Sequence, residues 1–386
     1  MTQPLAGIRV ADFSHVMAGP FASHLLRLLG AEVIKIEPPK GDQFRNYGSN
    51  RDYDGMAPAF IAANVGKKSI ALDLKAPEDR EVARRIVERS DVLLENFRPG
   101  VIDRLGFGYE EVRQGNPGIV FCSVSGYGQD SPQRDWPAID NIVQATSGMM
   151  MLSGAEGDPP VRIGFPIVDT LTGQTAAVAI LSALFQRERT GKGAYIDVSM
   201  LDASMAFMTS ALTPFLVTGS TLRRLGNTGY SELPTAGVFV ARDGRHISLG
   251  VVQENQFRAL AALLGREDWL DDPRFASPDA RRANFDVMHD ELTAILSTRD
   301  AAEWERLLSE AGIPCGKIRQ VGEAAQLAQP GSLLEIEIAG LPGSGRISVP
   351  NAGFKMKPGA PGTNEAPPRL DENREEILQW LAQADA

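Results

Sequence analysis

The sequence predicts an α/β protein whose first part builds a parallel sheet, with a separate α+β piece later in the chain. Three observations carry this reading. Short apolar runs of strand length alternate with helical patterns up to Val124, and each run ends in a polar or glycine-containing turn. After about Met200 that rhythm gives way to a hairpin followed by helices.

Ile8 to Phe13 reads as a short buried strand, leading through a polar turn, Ser14-His15, into a helix near Pro20. Proline suits a first helical position, where its missing N–H costs nothing. Phe21, Leu25, Leu28 and Leu29 give that helix its apolar residues, and Gly30 stops it. Glu32–Ile36 is the next strand. Ser69–Asp73, a helix from Pro77 with Val82, Ala83, Ile86 and Val87 on one face, and Asp91–Glu95 repeat the unit, and Gly118–Val124 adds another strand. In open sheets of this kind ligands bind beyond the carboxyl ends of the strands, so the turns Asn96–Gly100 and Ser125–Gly128 are where chemistry is expected.

Leu171 to Thr190 is a long helix ended by Gly191, and small residues in its first turns allow another element to approach closely. Gly237–Ala241 and His246–Leu249 flank an Asp243-Gly244 turn and form the hairpin. Helices follow over Asn255–Leu264, Ala283–Leu296 and Ala301–Ala311, and Gly312–Gly316 is extended. Short strands near Leu334–Ile338 and Arg346–Val349 and a helix from Glu372 to Ala382 complete the chain; Lys357–Arg369, rich in proline, is a loop.

Composition narrows the function. The 386 residues leave room for two or three domains of about 150 residues each. The most apolar stretch, Met205–Val217, is broken by Thr209, Ser210, Thr213 and Pro214, short of the roughly 18 residues of a membrane span. Met1–Leu5 lacks a basic region followed by an apolar run, so no secretory leader and no membrane partner are expected. Two cysteines, Cys122 and Cys315, are read as buried packing residues and fit a reducing, cytoplasmic compartment. A net charge of −10 disfavours nucleic acid as a partner. The four histidines, His15, His24, His246 and His289, fall in no metal-binding spacing, so no metal is expected. No nucleophile-elbow serine or phosphate-binding loop motif occurs.

Asp169 lies at or just before the start of the long helix. It reads either as an N-cap or, since a helix start favours the anionic carboxylate, as a covalent nucleophile beside a cleft. Spacing alone leaves both open. Lys67 and Lys68 are read as solvated charges.

Several ordered motifs bear on that choice: Phe13–Pro20, Leu29–Glu37, Leu72–Lys75, Glu95–Gly100, the Asp169 segment through Arg189–Gly193, Met200–Ala203 and Ile313–Gly316. Together they make the chain resemble class III CoA-transferases, which include formyl-CoA and carnitine CoA-transferases and have α-methylacyl-CoA racemase as a relative. The resemblance implies an acyl-CoA:carboxylate CoA-transferase with Asp169 as nucleophile, passing through an aspartyl mixed anhydride and an aspartyl-CoA thioester. Oxyanions would be met by backbone N–H groups of glycine-containing turns. By motif match, Lys75, Arg98 and Arg104 clamp CoA, with Asn96 and Phe97 alongside. Leu72 lies against adenine, and His15, Val16 and Ala18 line the pantetheine path.

The resemblance also implies a doubly wound, Rossmann-like large domain built from both chain ends with a smaller inserted α+β domain, in an interlocked homodimer. The boundaries expected are 1–205 and 325–386 for the large domain and 225–318 for the small one, with 206–224 and 319–324 as linkers. Two departures matter. Leu249–Gln256 lacks the glycine run of formyl-CoA transferases, which argues against formate as acceptor, and Gln253 or Glu254 could reach the site from there. Pro137–Asn141 keeps Asp140 but has Ile139 where racemases carry histidine, which argues against the alternative of an α-methylacyl-CoA epimerase. A second alternative is a non-catalytic CoA-binding protein.

Overall fold

In the computed structural model, which describes residues 3–48, 55–341 and 345–383, six strands form one parallel sheet. They are β1 (Arg9–Asp12), β2 (Glu32–Glu37), β3 (Lys68–Ala71), β4 (Val92–Glu95), β5 (Val120–Ser125) and β6 (Ala194–Ser199), in the order β3-β2-β1-β4-β5-β6. Val10 of β1 stands opposite Val33 of β2 on one side and Val92 of β4 on the other. The strand order therefore reverses between β1 and β4, and the crevice beyond their carboxyl ends is the natural ligand site.

Both faces of the sheet are covered, which is why its central strands read as apolar runs. On one face the helices Ala18–Leu28 and Ile167–Thr190 pack Ala22, Leu26, Ala176 and Ile180 against Val10, Val33 and Val120. On the other, Pro77–Glu88, Tyr109–Gly115 and Arg374–Gln383 bring Ile86, Val112, Ile377 and Leu381 against Ile34, Leu93 and Phe121. Gly173 permits the close approach of the first pair of helices, since a Cβ there would lie 2.6 Å from the Ala18 carbonyl oxygen. Ile167–Thr190 is long and apolar enough to cross a membrane, yet half of its most apolar window is buried within the protein.

The chain packs as two units. Unit 1 comprises Met1–Met149, Arg162–Gly219 and Gln329–Ala386; unit 2 comprises Met150–Val161 and Ser220–Ala328. Residues 150–161 thus group with unit 2, and the segment read as a linker after 205 holds the helix Thr209–Thr218. In unit 2 the hairpin β7 (Ala236–Val240) and β8 (His246–Gly250) turns at Gly244, φ +73°, and β9 (Cys315–Lys317) joins it antiparallel. Helices pack Phe257, Trp269, Met288 and Trp304 over these strands. Cys122 is buried in β5, but Cys315 is only half-buried on an edge strand, with Sγ 3.6 Å from Ser309 Oγ. In unit 1, β10 (Leu333–Glu337) and β11 (Arg346–Pro350) pair antiparallel, and Ile336 and Val349 pack in a cluster with Phe44 and Phe60.

Candidate active site

The chain leaves β1 through Phe13–Met17, at the point where the strand order reverses. Asn96, the first residue after β4, clamps this turn. Its Oδ1 accepts the His15 N–H at 2.8 Å, and its Nδ2 donates to the His15 carbonyl at 2.8 Å. Val16 is held at φ +69°, a left-handed conformation costly for a β-branched residue. The Asp42 carboxylate imposes it by accepting the Val16 N–H at 3.1 and 3.2 Å. Asp42 is in turn paired with buried Lys35 at 3.0 Å, and Lys35 Nζ also donates to the Ser14 carbonyl at 2.8 Å.

Beneath the turn lies a second buried pair. Lys67 Nζ stands 3.1 Å from Asp12 Oδ2 and also donates to Ser23 Oγ and the Pro20 carbonyl, at 2.8 and 2.9 Å. Burial alone would raise the Asp12 carboxyl, but Lys67, Lys35 and the Ser14 and Ser23 hydroxyls hold it at about 2. Burial brings the Lys67 ammonium down to about 8, so at neutral pH both groups are charged. Lys67 is therefore not the solvated charge its sequence context suggests. Neighbours on extended chain face opposite ways, and only Lys68 reaches the surface, where it pairs with Glu32 and Glu376 at 2.6 Å each.

The long helix begins at Ile167, so Asp169 is its third residue rather than its cap. The capping role falls to Asp140, whose Oδ2 accepts the Val168 N–H at 2.7 Å and the Asp169 N–H at 3.1 Å. Two of the four unpaired donors of the helix start are thereby satisfied. Gln144 fixes Asp140 by donating to its Oδ1 at 2.6 Å, and Gln144 Oε1 accepts the Ile163 N–H at 2.9 Å. Burial, reinforced by the Asp140 charge, pushes the Asp169 carboxyl up to about 7. This reverses the expectation that the helix start keeps Asp169 ionised, because the donors that would favour its anion are engaged by Asp140.

Asp169 opens onto a cavity of about 810 Å³ within unit 1. Of the residues expected to hold CoA, Val16, Ala18, Asn96, Phe97 and Arg98 line this cavity. His15, Leu72 and Lys75 line a smaller one of about 220 Å³, with Phe97 bordering both. The His15 ring packs against Phe97 at 5.5 Å between centroids, and burial, aided by Lys35, lowers its pKa. Arg104 lines neither cavity and is exposed on the short helix Val101–Arg104. The larger cavity is lined by three arginines, Arg98, Arg134 and Arg162, against two aspartates, Asp140 and Asp169. A locally electropositive site therefore sits in a chain of net charge −10.

Gln144, Arg134 and Arg162 escaped sequence reasoning, since each acquires its meaning only from residues distant in the chain. Gln253 and Glu254 lie in unit 2 with structural partners of their own. Gln253 forms a capping box with Gln256, and Glu254 pairs with buried Arg281. Among the described residues no three His, Cys, Asp or Glu side chains group as a metal site requires.

Comparison with known proteins agrees with this architecture. The family model for CoA-transferase family III matches residues 5–374. Acetyl-CoA:oxalate CoA-transferase of Acetobacter aceti is 40% identical, over 99% of this chain and 97% of its own. Succinyl-CoA–D-citramalate CoA-transferase of Chloroflexus aurantiacus is 34% identical, over 98% of this chain and 94% of its own. The crystal structure of a CAIB/BAIF family protein from Brucella suis superposes with a TM-score of 0.89 at 30% identity, covering 99% of this chain and 100% of that one. Matches of this extent make the chain a member of CoA-transferase family III, and an enzyme of that class.

Proposed function

We propose that the protein moves CoA from a donor acyl-CoA to a carboxylic acid through covalent intermediates on Asp169. The observation that carries the reading is a half-buried carboxyl, titrating near neutrality, on the wall of an electropositive cavity at the sheet's switch point. In its ionised form an Asp169 oxygen attacks the thioester carbonyl; the C–S bond breaks and CoA leaves as thiolate, giving a mixed anhydride. The thiolate then attacks the aspartyl carbonyl, releasing the donor acid and leaving an aspartyl-CoA thioester. The acceptor carboxylate attacks that carbonyl, expelling the thiolate and forming a second anhydride. Thiolate attack on the acceptor's carbonyl completes transfer and frees Asp169. Each tetrahedral intermediate would be met by backbone donors in turns such as Ser125-Gly126, which line the cavity.

In this reading Lys75, Arg98 and Arg104 hold the CoA phosphates. All three are exposed and have no ion-pair partner among the described residues, as a ready phosphate clamp requires. Leu72 would meet the adenine, and His15, Val16, Ala18, Asn96 and Phe97 the pantetheine arm. Ile139, on the cavity wall beside Asp140, offers no proton-exchanging group where a racemase would need one.

The acceptor we propose is a dicarboxylic acid. Oxalate and D-citramalate, which appear in the names of the two relatives, are both dicarboxylates, and an electropositive cavity suits a dianion. We further propose a cytoplasmic, interlocked homodimer in which the partner chain completes the site. Exposed Val178 and Phe185 on the long helix and Leu216 and Val217 on Thr209–Thr218 support a buried subunit contact. A panel of acyl-CoA donors against carboxylic acids, read by mass spectrometry of the new thioester, tests the reading. Thioester formation on an added acid is expected. No acceptor becoming thioesterified, or exchange of the α-hydrogen of a branched acyl-CoA without acceptor, would overturn it.

A further inference from the structure

We propose that Arg162 reads the free carboxylate of the dicarboxylic acceptor, and is thus a specificity-determining residue of the Asp169 site; the proposal rests on the transferase reading above. Arg162 lines the same cavity as Asp169 and is exposed to it. Among the described residues its guanidinium has no hydrogen bond and no ion pair. Arg45 and Arg187 of unit 1 are engaged by contrast, Arg45 with Glu37 at 2.6 Å and Arg187 with Asp91 at 2.9 Å. Even Arg134, on the same cavity wall, has the Asp135 carboxylate 3.8 Å away.

The backbone that carries Arg162 is not free. Its neighbour Ile163 donates its N–H to Gln144 Oε1 at 2.9 Å, Gln144 holds Asp140 at 2.6 Å, and Asp140 accepts the Asp169 N–H at 3.1 Å. One chain of hydrogen bonds through buried Gln144 therefore ties the cation's strand of backbone to the nucleophile's. Arg98, the cation assigned to CoA, enters from the turn after β4, whereas Arg162 enters on the segment leading into the long helix. The two cations thus belong to different elements and are available to different ligands.

A dicarboxylic acceptor needs this division. One of its carboxylates must attack the aspartyl-CoA carbonyl, and the other, still ionised, must be held without reacting. The planar guanidinium fork matches a carboxylate with two parallel hydrogen bonds, fixing direction as well as distance. A monocarboxylic acid of the same length offers that fork nothing.

The test compares the full-length wild type with Arg162→Met and Arg162→Lys, using acetyl-CoA as donor. Succinate is set against butyrate and glutarate against valerate, so that each pair differs only in the second carboxylate. Arg162→Met is expected to lower kcat/KM for the dicarboxylates by roughly 10- to 100-fold, the range for a charge-assisted hydrogen bond. The monocarboxylates and the KM for acetyl-CoA should stay unchanged, and Arg162→Lys should recover part of the loss. Equal losses for both members of a pair, or a raised KM for acetyl-CoA, would overturn the assignment of Arg162 alone, the second result making it a CoA contact. Wild-type preference for the monocarboxylates would overturn the dicarboxylate class as well. A wild type that thioesterifies no acid would sink the transferase reading and this proposal with it.

Discussion

Asp140 and Asp169 meet at the start of the long helix, where Asp140 Oδ2 accepts the Asp169 N–H at 3.1 Å while its charge opposes ionisation of the Asp169 side chain. One carboxylate thus supports the backbone of the other and tunes its proton affinity. A carboxylate of raised proton affinity is the stronger nucleophile once ionised, and near neutrality a substantial share of it is ionised.

Activity should follow that ionisation. In the wild type, kcat/KM for the acyl-CoA should rise with pH through about 7, where Asp169 loses its proton. Asp140→Asn keeps an oxygen for the helix N–H groups but removes the like charge. Its ascending limb should therefore move to lower pH. A pH–rate profile checks this; a limb that does not move would assign it to another group.

Stability should show the opposite trend. The folded-state pKa of Asp169 is raised above its ordinary 3.8, so the folded protein binds this proton more tightly than the unfolded chain. That contribution is complete below about pH 4 and is lost as pH rises through about 7. Asp169→Asn should accordingly melt at a higher temperature than the wild type at pH 8, and the difference should close toward pH 4. Calorimetric scans across that range measure it.

Lys67 and Asp12 compensate each other inside the protein. Lys67→Met leaves Asp12 buried without its partner and should cost about 3–5 kcal/mol. Urea unfolding of that variant and of the double variant Lys67→Met/Asp12→Leu separates the pair's own worth from the penalty of an orphaned charge. The double variant should regain most of the lost stability.

Asn96 holds the turn against which the CoA arm is placed. Asn96→Ala removes both hydrogen bonds to His15, and should weaken CoA binding by roughly tenfold, about one net hydrogen bond's worth of free energy. Titration calorimetry with CoA reads this directly, and the thermal midpoint should move far less than it does for Lys67→Met.

Much of the fold was legible because β1, β2 and β4 are short apolar runs bounded by glycine, proline and polar turns, as strands covered on both faces must be. The strand β6 was not, since Ala194–Ser199 alternates apolar and polar residues at the sheet's edge, with Tyr195 and Asp197 exposed. Asp169 stood out as a candidate through its place before a long helix. Its cap partner lies 29 residues away in the chain, a separation that no local pattern reports. The same holds for Lys67: two adjacent lysines look alike in sequence, and only tertiary packing sends one of them to Asp12. Arg162 lies in a stretch without periodicity, and its standing depends on what it lacks, a partner.

If Asp169 carries CoA covalently, the adduct can be trapped. Incubation with an acyl-CoA, rapid acid quenching and peptide mass spectrometry would look for a hydroxylamine-sensitive thioester. The adduct is expected on the peptide containing Asp169 and should be absent in Asp169→Ala, with transfer reduced by roughly 10³-fold or more. Transfer at the wild-type rate by Asp169→Ala, or an adduct on a different residue, would contradict it.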